Sequence, residues 1–289
     1  MSTAIDTKWG TPSPVHDPYA LAHFQARPSD VLITTAPKAG TTWMMQILHQ
    51  LRSGGDAGFA SIFDVVPWLE FPGDGRPWQE RLAEFERIPN PRVFKTHCTC
   101  PQTPGVDKVR IVLTSRDPRD CCVSMYHHQL NMTDEARARM GVPVPTSFDA
   151  FFDRWMGFGS WFRNVASWWP RRDADNILWL RYEDLVRDLG AAVDRLLTFL
   201  NWTLTATQRE RVLEYCSFDW MKRHGDKFNA RLPNGKPVFK PESFIRKGAV
   251  GDHKTLLRPE QEQAVLERVV RELPAECVAF LGLNPRSRR

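Results

Sequence analysis

The stretch VLITTAPKAGTTW, residues 31 to 43, decides the fold. It begins as a short apolar, β-branched run of the kind found in buried strands, and MMQILHQL (44 to 51) continues it with apolar residues at helical spacing. A strand, a loop and a helix are predicted in that order. The loop presents backbone N–H groups at a helix N-terminus, where the helix dipole favours an anion, and Gly40 permits close backbone approach. This segment therefore predicts a phosphate-binding loop, with Thr41 and Thr42 as hydroxyl donors.

The position of Lys38 distinguishes this loop from a Walker A loop. A Walker A loop reads GxxxxGK[ST], with Lys directly after the last Gly and a Ser or Thr that holds Mg²⁺. Here Lys38 precedes Gly40 by two residues, and no glycine begins the loop. The spacing argues against an ATPase. It leaves a plain surface turn as the alternative, so other segments must decide the function.

Composition limits the class of protein. In 289 residues no apolar run approaches the roughly 20 residues of a membrane span, and the polar start lacks the apolar part of a signal peptide. The six cysteines lack the spacing of a disulfide framework. The net charge of +5 is modest, and Lys and Arg are scattered except at the PRSRR end (285 to 289). We expect a soluble cytoplasmic protein with reduced thiols, with no membrane or nucleic-acid partner.

Strands and helices alternate along the chain. Further strands are predicted at 91 to 97, 108 to 115 and 176 to 182. Helical spacing predicts helices at 118 to 130, 147 to 169, 183 to 200, 205 to 216 and 259 to 273. This alternation predicts an α/β fold in which helices flank a parallel β-sheet on both faces. With no internal repeat or linker, we predict a single domain over residues 1 to 289.

Three further segments contain candidate site residues. In SRDPRDCCVSMYHH (115 to 128), Arg116 leaves a strand at its carboxyl end, where parallel sheets bind ligands, and its planar group suits a phosphate. Ser124 adds a hydroxyl to the same group. A capping pair of Arg116 and Asp117 explains the segment equally well. In FIRKGAVGDHK (244 to 254), basic residues before a glycine suggest a second phosphate contact, with a generic basic loop as the alternative.

VFKTHC places Lys95 and His97 on the same side of a strand, because side chains alternate with period two. A neutral His is a natural general base for a hydroxyl, and a Lys can stabilise an anionic transition state. A lone His is more often structural; its pairing with Lys95 favours the catalytic interpretation.

A metal site is the competing interpretation of the His and Cys residues. HCTC lacks a CxxC spacing, and adjacent cysteines on a helix point in different directions. We therefore expect no metal at these candidate ligands: His97, Cys98, Cys100, Cys121, Cys122, His127 and His128.

Together these segments resemble the cytosolic sulfotransferase family, which transfers a sulfuryl group from 3′-phosphoadenosine 5′-phosphosulfate (PAPS) and releases 3′,5′-diphosphoadenosine (PAP). PKAGTTW is similar to its 5′-phosphosulfate loop, SRDPRDCCVSMYHH to its 3′-phosphate site, FKTH to its catalytic strand end, and FIRKGAVGDHK to its RKGxxGDWK signature. The order matches across nearly the whole chain. The resemblance implies a P-loop-like fold, PAPS as co-substrate and no metal.

The resemblance also implies residue roles. His97 would be the general base, Lys38 would neutralise the bridging oxygen, Lys95 would contact the sulfuryl oxygens, and Ser124 would link the 3′-phosphate to Lys38. The implied nucleotide contacts are Ala39, Gly40, Thr41 and Thr42 at the 5′-phosphate, Arg116, Ser124, Arg246, Lys247 and Gly248 at the 3′-phosphate, and Trp43, Tyr182, Phe218, Phe244 and Ile245 around the adenine. Trp68 and Phe71 would line the acceptor pocket beside His97.

The acceptor implied is a small alcohol, phenol or amine with an apolar body. Residues 66 to 71, 131 to 146 and 227 to 243 would determine its identity, which the sequence does not give. The chain departs from the family pattern at four places: Ala39 for Ser, Cys216 for Thr, HCTC for HLP and His253 for Trp. KTLLRPEQEQ (254 to 263) does not match the family dimer motif, so the resemblance does not extend to that dimer and the oligomeric state stays open.

Two functions of other classes stay open at this point. A P-loop nucleotide kinase would bind ATP with Mg²⁺, and a non-catalytic module would bind PAP without transfer. Lys38, Lys95 and His97 argue against the second.

Overall fold

The computed structural model describes residues 7 to 73 and 75 to 283; the PRSRR end and both extremes of the predicted domain lie outside these ranges. Its centre is a parallel sheet with strand order β2-β1-β3-β4. The strands are β1 Val31–Thr34, β2 Val93–Thr96, β3 Arg110–Ser115 and β4 Ile177–Arg181. Each lies within a segment predicted as a strand.

Helices connect and cover the strands in the described part of the chain. Their bounds are α1 Pro18–His23, α2 Thr41–Ser53, α3 Ile62–Val65, α4 Trp78–Arg87, α5 Pro118–Leu130, α6 Asp134–Met140, α7 Phe148–Phe158, α8 Ser160–Trp168, α9 Tyr182–Arg187, α10 Leu189–Leu200, α11 Ala206–Tyr215, α12 Phe218–Arg223, α13 Pro259–Glu272 and α14 Ala275–Phe280.

The sheet is buried on both faces, which explains the apolar, β-branched character of its strands. In β3, Ile111 and Leu113 pack into one apolar cluster with helices α5, α7, α8 and α13. Val112 points to the opposite face and packs with α2, α10 and α11. All three are at most 1% exposed. The predicted parallel sheet between two helical layers is confirmed.

Two helices predicted as continuous are each broken in two. Gly159 has a φ of +57°, so it ends α7 and begins α8 where the predicted helix ran from 147 to 169. Within 183 to 200, Asp188 is extended and its carboxylate accepts a hydrogen bond from Ala191 N at 2.8 Å. Because Asp188 caps α10, the chain turns there instead of continuing α9. Apolar spacing alone did not reveal either break.

The strand order puts the candidate residues at one edge. From β1 the chain moves to β2 on one side and then to β3 on the other, so the order reverses beside β1. Ligands in such sheets bind at this reversal, outside the carboxyl ends of the strands. Lys38 follows β1, His97 follows β2, Arg116 follows β3 and Tyr182 follows β4. The fold thus gathers segments distant in sequence.

A surface loop closes over this edge. Residues 227 to 243, predicted as a loop, form isolated bridges between Arg231 and Pro237 and between Met132 and Phe239. Their apolar side chains pack with α6 in a third cluster. In the described part of the chain the six cysteines are free, and no helix is long and apolar enough to span a membrane.

Candidate active site

The loop after β1 leaves the N-terminus of α2 open to an anion. Gly40 is the N-cap of α2, in left-handed conformation, and no side chain caps the first turn. The N–H groups of the first turn of a helix have no partner within the helix, so they remain donors for a ligand. A Cβ at Gly40 would lie 2.9 Å from Cδ2 of Tyr182, and φ is +97°. Only glycine fits here without strain.

Two hydroxyl contacts fix the shape of this loop. The hydroxyls of Thr35 and Thr41 lie 2.6 Å apart, and Thr114 Oγ1 on β3 donates to Ala39 O at 2.8 Å. Both bonds are buried; the first joins the two ends of the loop, and the second connects the loop to the sheet. Ala39 is fully buried, and its main-chain N donates to Ala36 O at 3.2 Å, so neither its side chain nor its main chain faces the cavity.

Lys38 has a left-handed backbone, with a φ of +69°, which is unusual for a residue with a Cβ. Its ammonium donates to Nδ1 of His128 at 3.0 Å and lies 5.5 Å from the centre of the Phe244 ring. Burial, together with the charges of Arg116 and Arg246, lowers the pKa of Lys38 from 10.5 to about 8. Positive potential therefore concentrates at this end of the site.

Two hydrogen bonds hold His97 in place, one made by its side chain and one by its main chain. Its Nδ1 lies 2.8 Å from Thr35 O, and its main-chain N donates to Glu70 Oε1 at 2.9 Å. A carbonyl oxygen only accepts, so Nδ1 carries the proton and Nε2 carries the electron pair. Burial and the neighbouring Lys95 lower the pKa of His97 from 6.5 to about 3, so the ring is neutral at pH 7. Neutral Nε2 is the form a general base requires.

Lys95 stands beside this base. Its ammonium lies 3.4 Å from His97 Nε2 and 3.4 Å from the centre of the Trp68 ring. Trp68 is aligned with Lys95 by a parallel bridge between the 66 to 71 segment and β2. Burial lowers the pKa of Lys95 from 10.5 to about 7, although Glu70 opposes the shift. The predicted pairing of Lys95 with His97 is present.

Arg116 follows directly after β3 and is buried, with 8% of its surface exposed. It donates to Ala249 O at 2.9 Å and lies 3.6 Å from Asp120 Oδ2. Arg116 also lines the cavity, so its planar group can contact a ligand there. Arg116 is therefore more than a cap for α5, whose first N–H groups are served by Asp117.

Arg246 and Lys247 both contact one carboxylate, that of Asp252. Lys247 Nζ lies 2.8 Å from Asp252 Oδ1, and Arg246 pairs with Oδ2 of the same residue. The loop is fixed to α5 through Asp120, which accepts from the main-chain N of Gly251 at 2.8 Å. An incoming phosphate would compete with Asp252 for these cations.

His253, where the resemblance has Trp, is nearly buried against the same helix. Its Nδ1 lies 2.7 Å from Asp120 Oδ1, and its main-chain N donates to that oxygen at 2.9 Å. These bonds and the charge of Arg116 outweigh burial and lower the pKa of Asp120 to about 2. The substitution thus keeps the loop attached by polar contacts instead of by an aromatic ring.

Aromatic side chains border the space between two groups of cations, Lys38 and Lys95 on one side and Arg116, Arg246 and Lys247 on the other. Trp43 and Tyr182 meet edge to face, with centroids 5.6 Å apart, and the Trp43 indole donates to Cys216 O at 2.8 Å. Gly248 has a φ of +62°, and a Cβ there would lie 2.5 Å from the Phe218 ring. Cys216 is fully buried and meets Trp43 through its backbone, so the missing Thr hydroxyl is not needed for this contact.

A cavity of about 1250 Å³ connects the loop after β1, the pair His97 and Lys95, the basic residues at the ends of β3 and in the C-terminal loop, and the aromatic side chains. Every site residue predicted from the sequence lines it except Ala39, which is buried within the loop. Ser124 also lines it but makes no hydrogen bond to Lys38 in the described structure. The cavity extends past His97 between apolar side chains, namely Phe63, Trp68, Phe71, Phe85, Met125, Met132, Met140, Val142, Val238 and Phe239.

The match to known proteins covers most of the chain. A family model described as "Sulfotransferase domain" matches residues 28 to 275. Sulfotransferase 1A1 of Canis lupus familiaris is 32% identical over 254 residues, which is 84% of this chain and 83% of the relative. The chain belongs to the sulfotransferase family. The predicted enzyme class, a PAPS-dependent sulfotransferase that moves sulfuryl groups, is confirmed with it.

Solved structures confirm the fold of this sulfotransferase. Mouse sulfotransferase SULT7A1, complexed with PAP, has a TM-score of 0.72 at 22% identity, covering 91% of each chain. Retinol dehydratase, in complex with androsterone and PAP, also has a TM-score of 0.72 at 22% identity, covering 89% of this chain and 84% of that one.

Potential metal-binding atoms of His16, Glu70 and Cys98 lie within 4.8 Å of one another. His16 Nε2 already bonds to Trp9 O at 2.7 Å, and Glu70 Oε1 accepts from His97 N. Burial raises the pKa of the Cys98 thiol well above its usual value, which disfavours the thiolate that binds metals. His16 and one carboxylate oxygen of Glu70 are therefore already hydrogen-bonded within the protein.

The sequence analysis missed three residues of this site. Glu70 fixes the main chain of His97, Asp252 pairs with both basic side chains of the C-terminal loop, and His128 accepts from Lys38. His128 was considered only as a zinc ligand. The sequence could have indicated His128, because it follows Ser124 by four residues and so lies on the same face of α5.

Proposed function

We propose that this sulfotransferase binds PAPS along the cavity, with the phosphosulfate at the N-terminus of α2. The uncapped first turn, Gly40 and the hydroxyls of Thr41 and Thr42 would meet the 5′-phosphate. The 3′-phosphate would bind between Arg116 and the Arg246 and Lys247 pair. The position of Arg116 in the cavity lining, at the carboxyl end of β3, supports this assignment, because its planar guanidinium suits a phosphate.

The adenine would lie among aromatic and apolar side chains between the two phosphate regions. The proposed contacts are Trp43, Tyr182, Phe218, Phe244 and Ile245. Gly248 supports this arrangement, because its close approach to the Phe218 ring leaves no room for a side chain.

In the proposed reaction, His97 Nε2 takes the proton of the acceptor hydroxyl as its oxygen attacks sulfur in line. The bond between sulfur and the bridging oxygen breaks, and Lys38 neutralises the charge on that oxygen. Lys95 stabilises the sulfuryl oxygens, and Ser124 would link the 3′-phosphate to Lys38. A sulfuryl group has less negative charge than a phosphoryl group, so lysines and N–H donors suffice without Mg²⁺.

The single observation that supports this chemistry most strongly is the state of His97. A neutral ring with its proton on Nδ1 carries its electron pair on Nε2, which accepts a hydrogen bond from the Lys95 ammonium at 3.4 Å. Base and cation meet at the boundary between the nucleotide region and the apolar part of the cavity.

The acceptor would be a small molecule with a hydroxyl or amine on an apolar body. The apolar walls beyond Trp68 and Phe71 support this class, since pockets for such ligands are mostly apolar with few polar groups. The six free thiols support a reducing, cytoplasmic location. A single domain over residues 1 to 289 remains part of the proposal.

The test compares two nucleotides and then measures transfer. PAP should raise the melting temperature without Mg²⁺, whereas ATP with Mg²⁺ should raise it little. Label from [³⁵S]PAPS should then appear in products from a panel of phenols, alcohols and amines. Stabilisation by ATP with Mg²⁺ alone would favour a kinase, and PAP binding without any transfer would favour a non-catalytic module.

A further inference from the structure

His128 is a second imidazole in the active site, next to the lysine proposed to act on the leaving group. It lies near the end of α5, lines the cavity, and its Nδ1 is 3.0 Å from Lys38 Nζ. Its ring packs against Phe239 and Phe244, with centroids 4.4 and 6.0 Å away. The imidazole is thus in contact with Lys38 and with two aromatic rings.

The protonation state of His128 follows from this contact. A charged ammonium only donates, so Nδ1 accepts and the ring proton lies on Nε2. Burial and the charges of Lys38 and Lys95 lower the pKa of His128 well below 6.5, so the ring stays neutral. His128 is therefore an acceptor for the charged Lys38 at neutral pH.

We propose that His128 is a positioning residue that holds the Lys38 ammonium, in its charged form, at the leaving oxygen of the sulfuryl donor. The inference rests on the proposed role of Lys38.

The surroundings of Lys38 explain why it needs such a partner. The groups that face it are Arg116 at the end of β3, Arg246 in the C-terminal loop, Lys95 and His97 at the end of β2, and Cys121 and His128 on α5. Three of these are cations, and no carboxylate among the described residues accepts from Lys38 Nζ. The imidazole is its hydrogen-bond acceptor, and hydrogen bonding to the charged form favours that form.

Two substitutions separate this bond from the packing of the ring. His128→Phe keeps an aromatic ring against Phe239 and Phe244 but removes the acceptor. His128→Asn places an amide oxygen close to the former position of Nδ1 and so keeps an acceptor. If the bond matters, the two variants should differ; if only the ring matters, Phe should be the milder change.

The first measurement is the pKa of Lys38, which requires no acceptor molecule. It is followed by NMR with ¹⁵N-labelled lysine in the full chain, and the Lys38 signal is identified with Lys38→Arg. We expect about 8 for the wild type. For His128→Phe we expect a value lower by roughly one unit, and for His128→Asn one within roughly 0.3 unit of the wild type. Equal values in all three proteins would overturn the inference.

The second measurement is the alkaline limb of the rate against pH for transfer from PAPS. Activity falls as Lys95, with a pKa of about 7, and Lys38, with a pKa of about 8, lose their protons, so in His128→Phe the part of this limb that belongs to Lys38 should move to lower pH. The PAP dissociation constant should change little at about pH 6, where Lys38 is charged in both proteins. In His128→Asn the alkaline limb should stay close to its wild-type pH. If the wild type fails to transfer label at all, the proposed function fails; if it transfers and His128→Phe retains its limb, only this inference fails.

Discussion

Nδ1 of His97 lies 2.8 Å from the carbonyl oxygen of Thr35, in the loop that begins the phosphate-binding segment. This bond orients the proposed base and also connects it to the donor loop after β1. The second contact of His97, from its main chain to Glu70, attaches it to the segment that contains Trp68. Hydrogen bonds therefore connect the loop after β1, His97 and the segment that contains Trp68. A substitution that moves the loop should also change the orientation of the His97 ring.

Arg116 should determine recognition of the 3′-phosphate. Arg116→Lys keeps the charge but loses the planar group, so PAP affinity should fall by about 10- to 100-fold. Affinity for adenosine 5′-monophosphate, which has no 3′-phosphate, should barely change. Isothermal titration calorimetry measures both. Arg119→Lys is the matched control, because Arg119 pairs with Asp117 and does not line the cavity. Equal losses for the two nucleotides would contradict the assignment.

Gly40→Ala should weaken PAP binding and lower stability. The added Cβ would meet Tyr182 at 2.9 Å, and the left-handed backbone adds a strain of about 1 to 2 kcal/mol. Gly235→Ala is the control: φ is +80°, yet a Cβ there meets nothing within 4 Å. Both variants should lose stability on thermal unfolding, but only Gly40→Ala should lose PAP affinity. A normal PAP affinity in Gly40→Ala would contradict the phosphate loop.

Binding of PAP should take up a proton above pH 8. The pKa of Lys38 is about 8, so the side chain is largely neutral at higher pH. A bound phosphate raises that pKa, which couples binding to protonation and makes affinity fall as pH rises. Calorimetry at about pH 8.5 in two buffers of different ionisation enthalpy should give different heats. Lys38→Met should reduce the difference; identical heats in the wild type would exclude this coupling.

Much of this molecule could be predicted from local pattern, since burial on both faces leaves a plain apolar signature in the strands. The breaks at Gly159 and Asp188 could not, because apolar spacing continues across both residues. The first break depends on a left-handed glycine and the second on a side-chain cap, and neither changes the apolar periodicity.

At the site, strand-end position predicted which residues meet. It could not predict their partners, because these depend on packing between distant segments. His128 reaches Lys38 across ninety positions, and Asp252 turns back onto Arg246 and Lys247. The left-handed backbone of Lys38 was equally hidden, since nothing in PKAGTTW marks that conformation.

The central claim is that His97 is the base of a sulfuryl transfer. The most direct test is turnover of [³⁵S]PAPS with the best acceptor of the panel, comparing His97→Ala with the wild type. His23→Ala, a change at an exposed residue on α1, is the control. We predict a loss of about 100- to 10,000-fold in His97→Ala, with the PAP dissociation constant and melting temperature close to wild type. A His97→Ala enzyme that retains wild-type turnover would contradict the account.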